Sequence, residues 1–127
     1  MIYGIGVDLV KIARIERMLS RWGERFVGRV YTEGEAEICY KRAFPASSFA
    51  LRFAAKEAFS KALGTGMRQG LQWRDIEVDH ASGGRPVLKL HGKCFQLCQA
   101  RNITGHYVSL SDEGDYGVAV VVLEKET

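Results

Sequence analysis

The first part of the chain changes from strand-like to helical spacing of apolar residues. Residues 2–7 are apolar with two glycines, which predicts a buried strand that stops at Asp8. From Lys11 onward apolar side chains recur at helical spacing, so we expect a helix with one face toward a core. The residues expected on that face are Ile12, Ile15, Leu19 and Trp22.

Two further helices are predicted before residue 66. Thr32 and Glu35 have the spacing of a capping box, which predicts a helix over residues 33–42 that Pro45 ends. A longer, alanine-rich helix follows and runs to Leu63, where two closely spaced glycines terminate it.

The second half of the chain has mainly strand signals. A hairpin is predicted from strands over residues 75–80 and 87–91, followed by a short helix that ends at Asn102. Two final strands meet around Glu113 and Gly114. The pattern predicts an α+β protein in which antiparallel strands dominate the second half.

Composition agrees with one globular domain over residues 1–127, because 46% of the residues are hydrophobic and 26% are charged. The apolar run of residues 118–123 is too short to cross a bilayer, and the N-terminus lacks the features of a signal peptide. We therefore expect a cytoplasmic protein without a membrane segment.

The three cysteines contain no Cys-x-x-Cys pair and are expected to be free thiols. Cys94 and Cys98, four residues apart, are interpreted as core residues rather than metal ligands.

Positive charge is concentrated near the N-terminus. Residues 11–29 contain six basic side chains and two acidic ones, although the whole chain carries a net charge of only +3. Three arginines and one methionine form a separate stripe at helical spacing, which we call the basic stripe. Its members are Arg14, Met18, Arg21 and Arg25.

Three charged residues are candidates for chemistry. Glu57 and Lys61 share one helix face, where they form either a solvated ion pair or charges that need partners on a packed helix. Asp8 either caps the first helix or converges with Glu57, since two carboxylates with substrate phosphates and water suit Mg²⁺. Gly64, with Thr65 after it, is read as a helix C-cap, although glycine also permits close approach of a ligand.

Three stretches of the chain resemble the holo-[acyl-carrier-protein] synthases, the small bacterial type of the 4'-phosphopantetheinyl transferase superfamily. They are residues 4–8 with 12–16, the block FAAKEAFSKALGTG at 53–66, and the closing YVSLSDE with its final strand. The resemblance covers essentially the whole chain. It implies a fold in which a long helix packs on a small, mainly antiparallel sheet.

The resemblance also implies an activity. Members of this family transfer the phosphopantetheine arm of coenzyme A to a serine of an apo acyl carrier protein for fatty-acid synthesis. They release adenosine 3',5'-bisphosphate and need Mg²⁺. By resemblance Asp8 and Glu57 are metal ligands, and Lys61 either offsets phosphate charge or assists removal of the serine proton. Such charge neutralisation is what attack on a diphosphate requires.

The resemblance implies further contacts and an assembly. Family members are homotrimers with sites at subunit interfaces, so the turn at Arg85 and Pro86 is expected to reach the nucleotide of a neighbouring site. The implied coenzyme A contacts are Lys61, Gly64, Thr65, Arg85 and Pro86. The basic stripe matches the surface that receives an acidic helix of the carrier protein, and we expect it to lie apart from the nucleotide.

One position departs from the family pattern. The family commonly has His before the Val-Ser of the penultimate strand, whereas this chain has Tyr107 with His106 displaced by one residue. Adjacent strand residues face opposite ways, so His106 is not expected to substitute without a bulge.

Two other functions are compatible with parts of the sequence. A basic helix and tryptophans such as Trp22 and Trp73 are also features of nucleotide- or RNA-binding domains. Neither an aromatic stacking platform nor a basic stripe running beyond one helix is traceable, so we expect no nucleic-acid partner. A metal-dependent diphosphate hydrolase would use Asp8 and Glu57 with water as nucleophile.

Overall fold

A long helix packed against an antiparallel sheet organises this α+β chain, which we describe from a computed structural model covering residues 1–126. In chain order, the helices and strands of the described residues are β1 Ile2–Lys11, α1 Ile12–Trp22, α2 Glu24–Val30, α3 Glu33–Tyr40, α4 Pro45–Leu63, the 3₁₀ turn Trp73–Asp75, β2 Ile76–His80, β3 Pro86–Leu90, α5 Gly92–Ala100, β4 Ile103–Glu113 and β5 Tyr116–Lys125.

The strands form two antiparallel sheets. The larger sheet has the order β1-β5-β4, and β2 pairs with β3 as a separate hairpin. Both the predicted hairpin and the predicted final strand pair are confirmed. The prediction that β1 stops at Asp8 is wrong, because Asp8 pairs with Ala119 on β5 and the pairing continues to Lys11.

The helix predictions need three corrections. The first helix ends at Trp22, since Gly23 adopts a φ of 50° and starts the separate helix α2. Trp22 is 43% exposed instead of facing the core. Pro45 begins α4 rather than ending α3, as expected for a ring that fits the first turn of a helix. The capping box of Thr32 and Glu35 is confirmed.

β1 and α4 approach each other so closely that glycine is required between them. A Cβ added to Gly4 would lie 2.0 Å from the carbonyl oxygen of Ala62, and one added to Gly6 would lie 1.8 Å from that of Ala58. Real Cβ atoms are not found at such distances, so only glycine lets the strand lie directly on the helix backbone. The rest of the inner sheet face packs on α4 through β5 residues such as Val121, which is fully buried.

A buried ion pair connects α4 to the elements on its other side. Lys56 on α4 and Glu35 on α3 are both 0% exposed, and Nζ of Lys56 lies 2.8 Å from Oε1 of Glu35. The ammonium group also donates to the carbonyl oxygens of Trp73 and Ile76. Glu35 accepts in addition from the backbone N–H of Val78 at 3.0 Å. With every charged atom partnered, this pair fixes α3, α4, the 3₁₀ turn and β2 in one arrangement.

The cysteine prediction is confirmed, since all three thiols are free and buried. Residues 1–126 contain no group of three or more His, Cys, Asp or Glu side chains arranged to hold a metal ion. Nor does that part of the chain include a helix with the length and apolar character needed to span a membrane.

The glycine contact gives a stability prediction. We expect Gly6→Ala to lower the free energy of unfolding by about 3 kcal/mol or more, because the new methyl group has to displace α4 backbone. Gly28→Ala is the matched control, since a Cβ there meets nothing within 4 Å and alanine is the better helix former by about 0.5–1 kcal/mol. Urea unfolding followed by circular dichroism measures both changes. Equal stabilities of the two variants would contradict the proposed packing of β1 on α4.

Candidate active site

Asp8 and Lys61 meet where β1 crosses α4. Nζ of Lys61 donates to Oδ1 of Asp8 at 3.0 Å and to the carbonyl oxygen of Val7 at 3.2 Å. The Asp8 side chain is 17% exposed and that of Lys61 is 52% exposed. The carboxylate that pairs with Lys61 therefore comes from a distant part of the chain, which agrees with the expectation that charges on a packed helix need partners.

The alternative role of Asp8 as a helix cap is wrong. The N-cap residue of α1 is Lys11, and no side chain makes a capping hydrogen bond there. Because β1 continues through Asp8, its side chain lies with Gly6 and Val10 on the α4 side of the sheet.

Glu57 joins these two residues electrostatically. It lies one turn before Lys61 on α4, and burial together with the nearby charge of Asp8 raises its pKa above the ordinary value. Lys61 and Arg14 oppose that rise. Two carboxylates, from β1 and α4, thus lie close enough to repel each other, with Lys61 beside them.

This donor set fits Mg²⁺. The ion binds hard oxygen ligands and usually takes one or two protein carboxylates while water and substrate phosphates complete its shell. A cation beside Asp8 and Glu57 would also relieve the repulsion that raises the pKa of Glu57. Asp8 on β1 and Glu57 on α4 together supply the one or two carboxylates that such a site needs from the protein.

Arg14 of the basic stripe lies next to this site. Its guanidinium lies over the ring of Phe53 on α4, with 5.6 Å between the guanidinium carbon and the ring centroid. Its positive charge partly offsets the rise in the pKa of Glu57. The rest of the basic stripe continues away from it. Because α1 ends at Trp22, Arg14, Met18 and Arg21 lie on α1 and Arg25 lies on α2.

The C-cap interpretation of the glycines after α4 is confirmed. Gly64 has a φ of 87°, and its N–H donates to the carbonyl oxygens of Ser60 and Lys61. Thr65 is 8% exposed and donates its hydroxyl to the carbonyl oxygen of Gly66. These contacts account for the local sequence without a ligand.

A second charged cluster, which the sequence analysis missed, lies at the other end of α4. A cavity of about 440 Å³ is lined by Ser48 and Arg52 of α4 together with Arg42, His80 and Pro86, and one acidic residue, Asp112 of β4, also lines it. Of the predicted nucleotide contacts, Pro86 lines this cavity, whereas Arg85 is exposed in the adjoining turn. We call this cavity the cationic cavity.

Arg52 is the unusual member of that cluster. It is 3% exposed, and its Nη1 donates to the Ser48 hydroxyl at 2.7 Å, but Nε and Nη2 are buried with no hydrogen-bond partner among the described residues. No carboxylate in residues 1–126 forms a salt bridge with it. A buried, unpaired guanidinium is costly, so the site is suited to an anion.

The same positive charges affect the pKa of His80. Burial lowers its pKa below the ordinary value, and Arg52 and Arg42 lower it further. By its position at the end of β2, His80 looks like an ordinary strand-end residue. One sequence signal points to this cluster. Arg52 and Lys56 lie four residues apart on a helix that is alanine-rich on most sides, which indicates that both charges are buried in the fold.

The two clusters lie on different sides of α4. Arg52 and Lys61 are nine residues apart, which is about two and a half helical turns and places them on opposite faces. Arg52 faces the side of α3 and β2, whereas Glu57 and Lys61 face β1 and α1. One chain therefore does not bring Gly64 and Thr65 together with Pro86, as a single coenzyme A site within one subunit would require.

The outer face of the larger sheet is apolar and uncovered. Ile5, Val7 and Leu9 of β1 are 60%, 54% and 64% exposed, and Val120 of β5 is 38% exposed. An uninterrupted row of exposed strand residues of this kind is typical of an interface rather than of a solvated face.

Tyr107 lies on that outer face, at 57% exposure, and donates its hydroxyl to Oε1 of Glu124 at 2.9 Å. His106 lies on the inner face, where its Nδ1 is buried without a partner in residues 1–126. The pairing of β4 with β5 is regular at both residues, since its irregularity lies between Ile103 and Gly105. Without a bulge, His106 does not substitute for the residue on the outer face.

Comparison with known proteins was made on sequence and on structure. Residues 4–121 match the sequence model of the 4'-phosphopantetheinyl transferase superfamily. The holo-[acyl-carrier-protein] synthase of Geobacter metallireducens is 49% identical over 125 residues, covering 98% of this chain and 99% of that protein. The Methylorubrum populi protein of the same name is 50% identical over 128 residues, covering 98% and 94%.

Solved structures give the same result. The holo-[acyl-carrier-protein] synthase of Neisseria meningitidis superposes with a TM-score of 0.92 at 39% identity, covering 98% of this chain and 100% of that one. The Helicobacter pylori protein of that name, solved in complex with coenzyme A, has a TM-score of 0.84 at 33% identity and covers 94% and 99%.

The charge cluster in the cationic cavity gives a titration prediction. We expect Arg52→Met to raise the pKa of His80, because it removes a nearby positive charge that disfavours the imidazolium form. Titration of the imidazole proton shifts by NMR measures it. Arg68→Met serves as the control, since Arg68 is exposed and outside the cavity. An unchanged His80 pKa in Arg52→Met would mean that the guanidinium does not face the cavity.

Proposed function

The chain belongs to the holo-[acyl-carrier-protein] synthases of the 4'-phosphopantetheinyl transferase superfamily, and from that premise we propose that it transfers the 4'-phosphopantetheine arm of coenzyme A to a serine of an apo acyl carrier protein. The enzyme class is thus a phosphopantetheinyl transferase. In this proposal residues 1–127 act as one domain in the cytoplasm and serve fatty-acid synthesis. The observation that carries the proposal is the meeting of Asp8 and Lys61 beside Glu57.

The reaction breaks a phosphoanhydride bond within the diphosphate of coenzyme A and forms a phosphate ester bond to the serine. The serine oxygen bonds to the phosphorus that carries the pantetheine arm, the serine loses its proton, and the bond to the oxygen of adenosine 3',5'-bisphosphate breaks. Such a displacement depends mainly on positioning and on neutralising phosphate charge.

Asp8 and Glu57 would hold Mg²⁺, and the bound ion would supply positive charge against the diphosphate oxygens. Lys61 supplies a second positive charge at the same place. Its ammonium group is oriented by Asp8 and by the carbonyl oxygen of Val7, so its donors are directed along the β1 edge of α4. This fixed orientation favours the role of charge offset over that of a mobile base.

The cationic cavity would receive the nucleotide half of coenzyme A. A 3'-phosphate or the diphosphate would satisfy the two unpartnered nitrogens of Arg52, and Arg42 and His80 add donors around it. Pro86 and the exposed Arg85 border the same opening. Buried guanidinium groups are suited to phosphate because the planar fork matches two oxygens at once.

The two half-sites would come from neighbouring subunits of a homotrimer. We call Asp8, Glu57 and Lys61 the Asp8 cluster. It lies on the opposite side of α4 from the cationic cavity, so a diphosphate that contacts both needs two chains. The uncovered apolar face with Ile5, Val7 and Leu9 offers the surface for that association. Tyr107 lies on the same face and would therefore approach the neighbouring subunit.

The basic stripe would bind the carrier protein. Arg14, Arg21 and Arg25 are exposed, and Arg14 lies close enough to Glu57 for its charge to affect the pKa of that carboxyl group. A carrier held along α1 would thus present its serine near the metal ligands. Opposite charge would speed the encounter and set the orientation.

We expect the intact mass of an apo acyl carrier protein to increase by one phosphopantetheine group when it is incubated with this enzyme, coenzyme A and Mg²⁺. Glu57→Gln should reduce the metal-dependent rate by about 100-fold or more while the protein stays folded, because it removes one of the two proposed metal ligands. Unchanged carrier mass with cleaved coenzyme A would indicate a hydrolase instead. Full activity of the Glu57→Gln variant would show that Glu57 is not a ligand of the metal ion.

A mixing experiment tests the shared site. Lys61→Met and Arg52→Met should each be inactive alone, but subunits refolded together should regain activity, because a site between two chains can combine one intact half from each variant. Random mixing in equal amounts places both intact halves in about a quarter of the sites. Turnover of coenzyme A per subunit measures the recovery. No recovery above the two separate variants would mean that each chain contains a whole site.

A further inference from the structure

Three shallow depressions adjoin one another along the surface of α1, α2 and the 3₁₀ turn. The first, along α1, and the second, between α1 and α2, share Met18 and Trp22. The second and the third, between α2 and the 3₁₀ turn, share Arg29. They form one continuous groove, which we call the arginine groove. Basic charge therefore extends over α1, α2 and the 3₁₀ turn, and the expectation that no basic stripe runs beyond one helix is wrong. Its basic residues are Arg14, Arg17, Arg21, Arg25, Arg29 and Arg74.

The charge of the arginine groove is of one sign. No acidic side chain lines any of its three parts, and all six arginines are exposed. The groove holds six of the 18 basic residues of the chain, which leaves 12 basic against 15 acidic residues elsewhere. Among residues 1–126 none of the six forms a salt bridge. The field of this band therefore acts outward, on a partner.

The groove also has an apolar centre. Trp22 is 43% exposed between Arg21 and Arg25, whose guanidinium carbons lie 5.1 Å and 6.0 Å from its ring centroid. Met18 is half-buried beside it. An exposed tryptophan flanked by arginines is a typical anchor of a protein–protein interface.

We propose that the carrier protein is bound along the whole arginine groove, so that Arg74 on the 3₁₀ turn forms a second electrostatic contact beyond the basic stripe. This inference rests on the proposed function. A single row of charges, such as the basic stripe, leaves a partner free to rotate about that row, whereas a charge on a further element beside the row fixes its orientation. Arg29 bridges the two parts, since it lines the groove on both sides.

The partner is an acidic protein surface rather than a nucleic acid. Single strands are bound by aromatic rings with an open face, on which successive bases stack. The ring of Trp73 is stacked on Phe53 at 5.0 Å, and arginines already lie over that of Trp22. An acidic helix needs no such stacking and matches the row of guanidinium groups.

The test compares Arg74→Glu with Lys93→Glu, a charge reversal of the same size on an exposed residue of α5 outside the groove. We expect Arg74→Glu to raise the KM for apo carrier protein about 5- to 20-fold and to reduce its dependence on salt, with kcat and the KM for coenzyme A within about 2-fold of wild type. Lys93→Glu should leave all three constants within about 2-fold. Arg74→Gln, which retains hydrogen bonding, should give a smaller rise in KM.

The outcomes separate this inference from the function on which it rests. If Arg21→Glu raises the KM for carrier protein and Arg74→Glu does not, the groove inference is wrong and the transferase activity stands. If wild-type protein leaves the carrier unmodified, both are wrong. Anisotropy titration with single-stranded RNA provides the third arm: RNA binding that Arg74→Glu abolishes, with an unchanged KM for carrier protein, would overturn the inference in favour of a nucleic-acid site.

Discussion

The architecture of the site depends on the contact of two glycines with a helix backbone. Gly4 and Gly6 lie so close to the carbonyl oxygens of Ala62 and Ala58 that no side chain fits between β1 and α4. With the strand held there, the alternation of β1 directs Asp8 to the helix and leaves Ile5 and Val7 on the outer face. The same contact thus brings Asp8 to Lys61 and creates the uncovered apolar surface.

Two buried cations on α4 have different consequences. Lys56 is surrounded by Glu35 and two carbonyl oxygens, so its charge is matched inside the fold and contributes to a unique arrangement of α3, α4 and β2. Arg52, four residues earlier, has two nitrogens without a partner in the described part of the chain. In the proposed function a phosphate of coenzyme A partners these two nitrogens, so the second buried charge would be matched by the ligand rather than by the fold.

Three surfaces of the subunit meet around α4 and its neighbours: the arginine groove, the Asp8 cluster and the cationic cavity. Arg14 belongs to the first and influences Glu57 in the second. The cationic cavity lies on the opposite side of the helix. In the proposed assembly the sheet face with Leu9 and Val120 closes this gap by joining two chains, so the quaternary contact becomes part of the chemistry.

The sequence by itself determined the α+β class, the capping box of Thr32, the end of α4 at Gly64 and the candidate triad of Asp8, Glu57 and Lys61, because periodicity, caps and recurring motifs are local signals. It did not predict that Gly23 divides the first helix, since the apolar spacing continues across it. It also missed the roles of Arg52 and His80, which look like ordinary polar positions on a helix and at a strand end. Only the tertiary structure decided these points, because burial, and the lack of a salt-bridge partner for Arg52 among residues 1–126, are properties of the surroundings that distant segments provide.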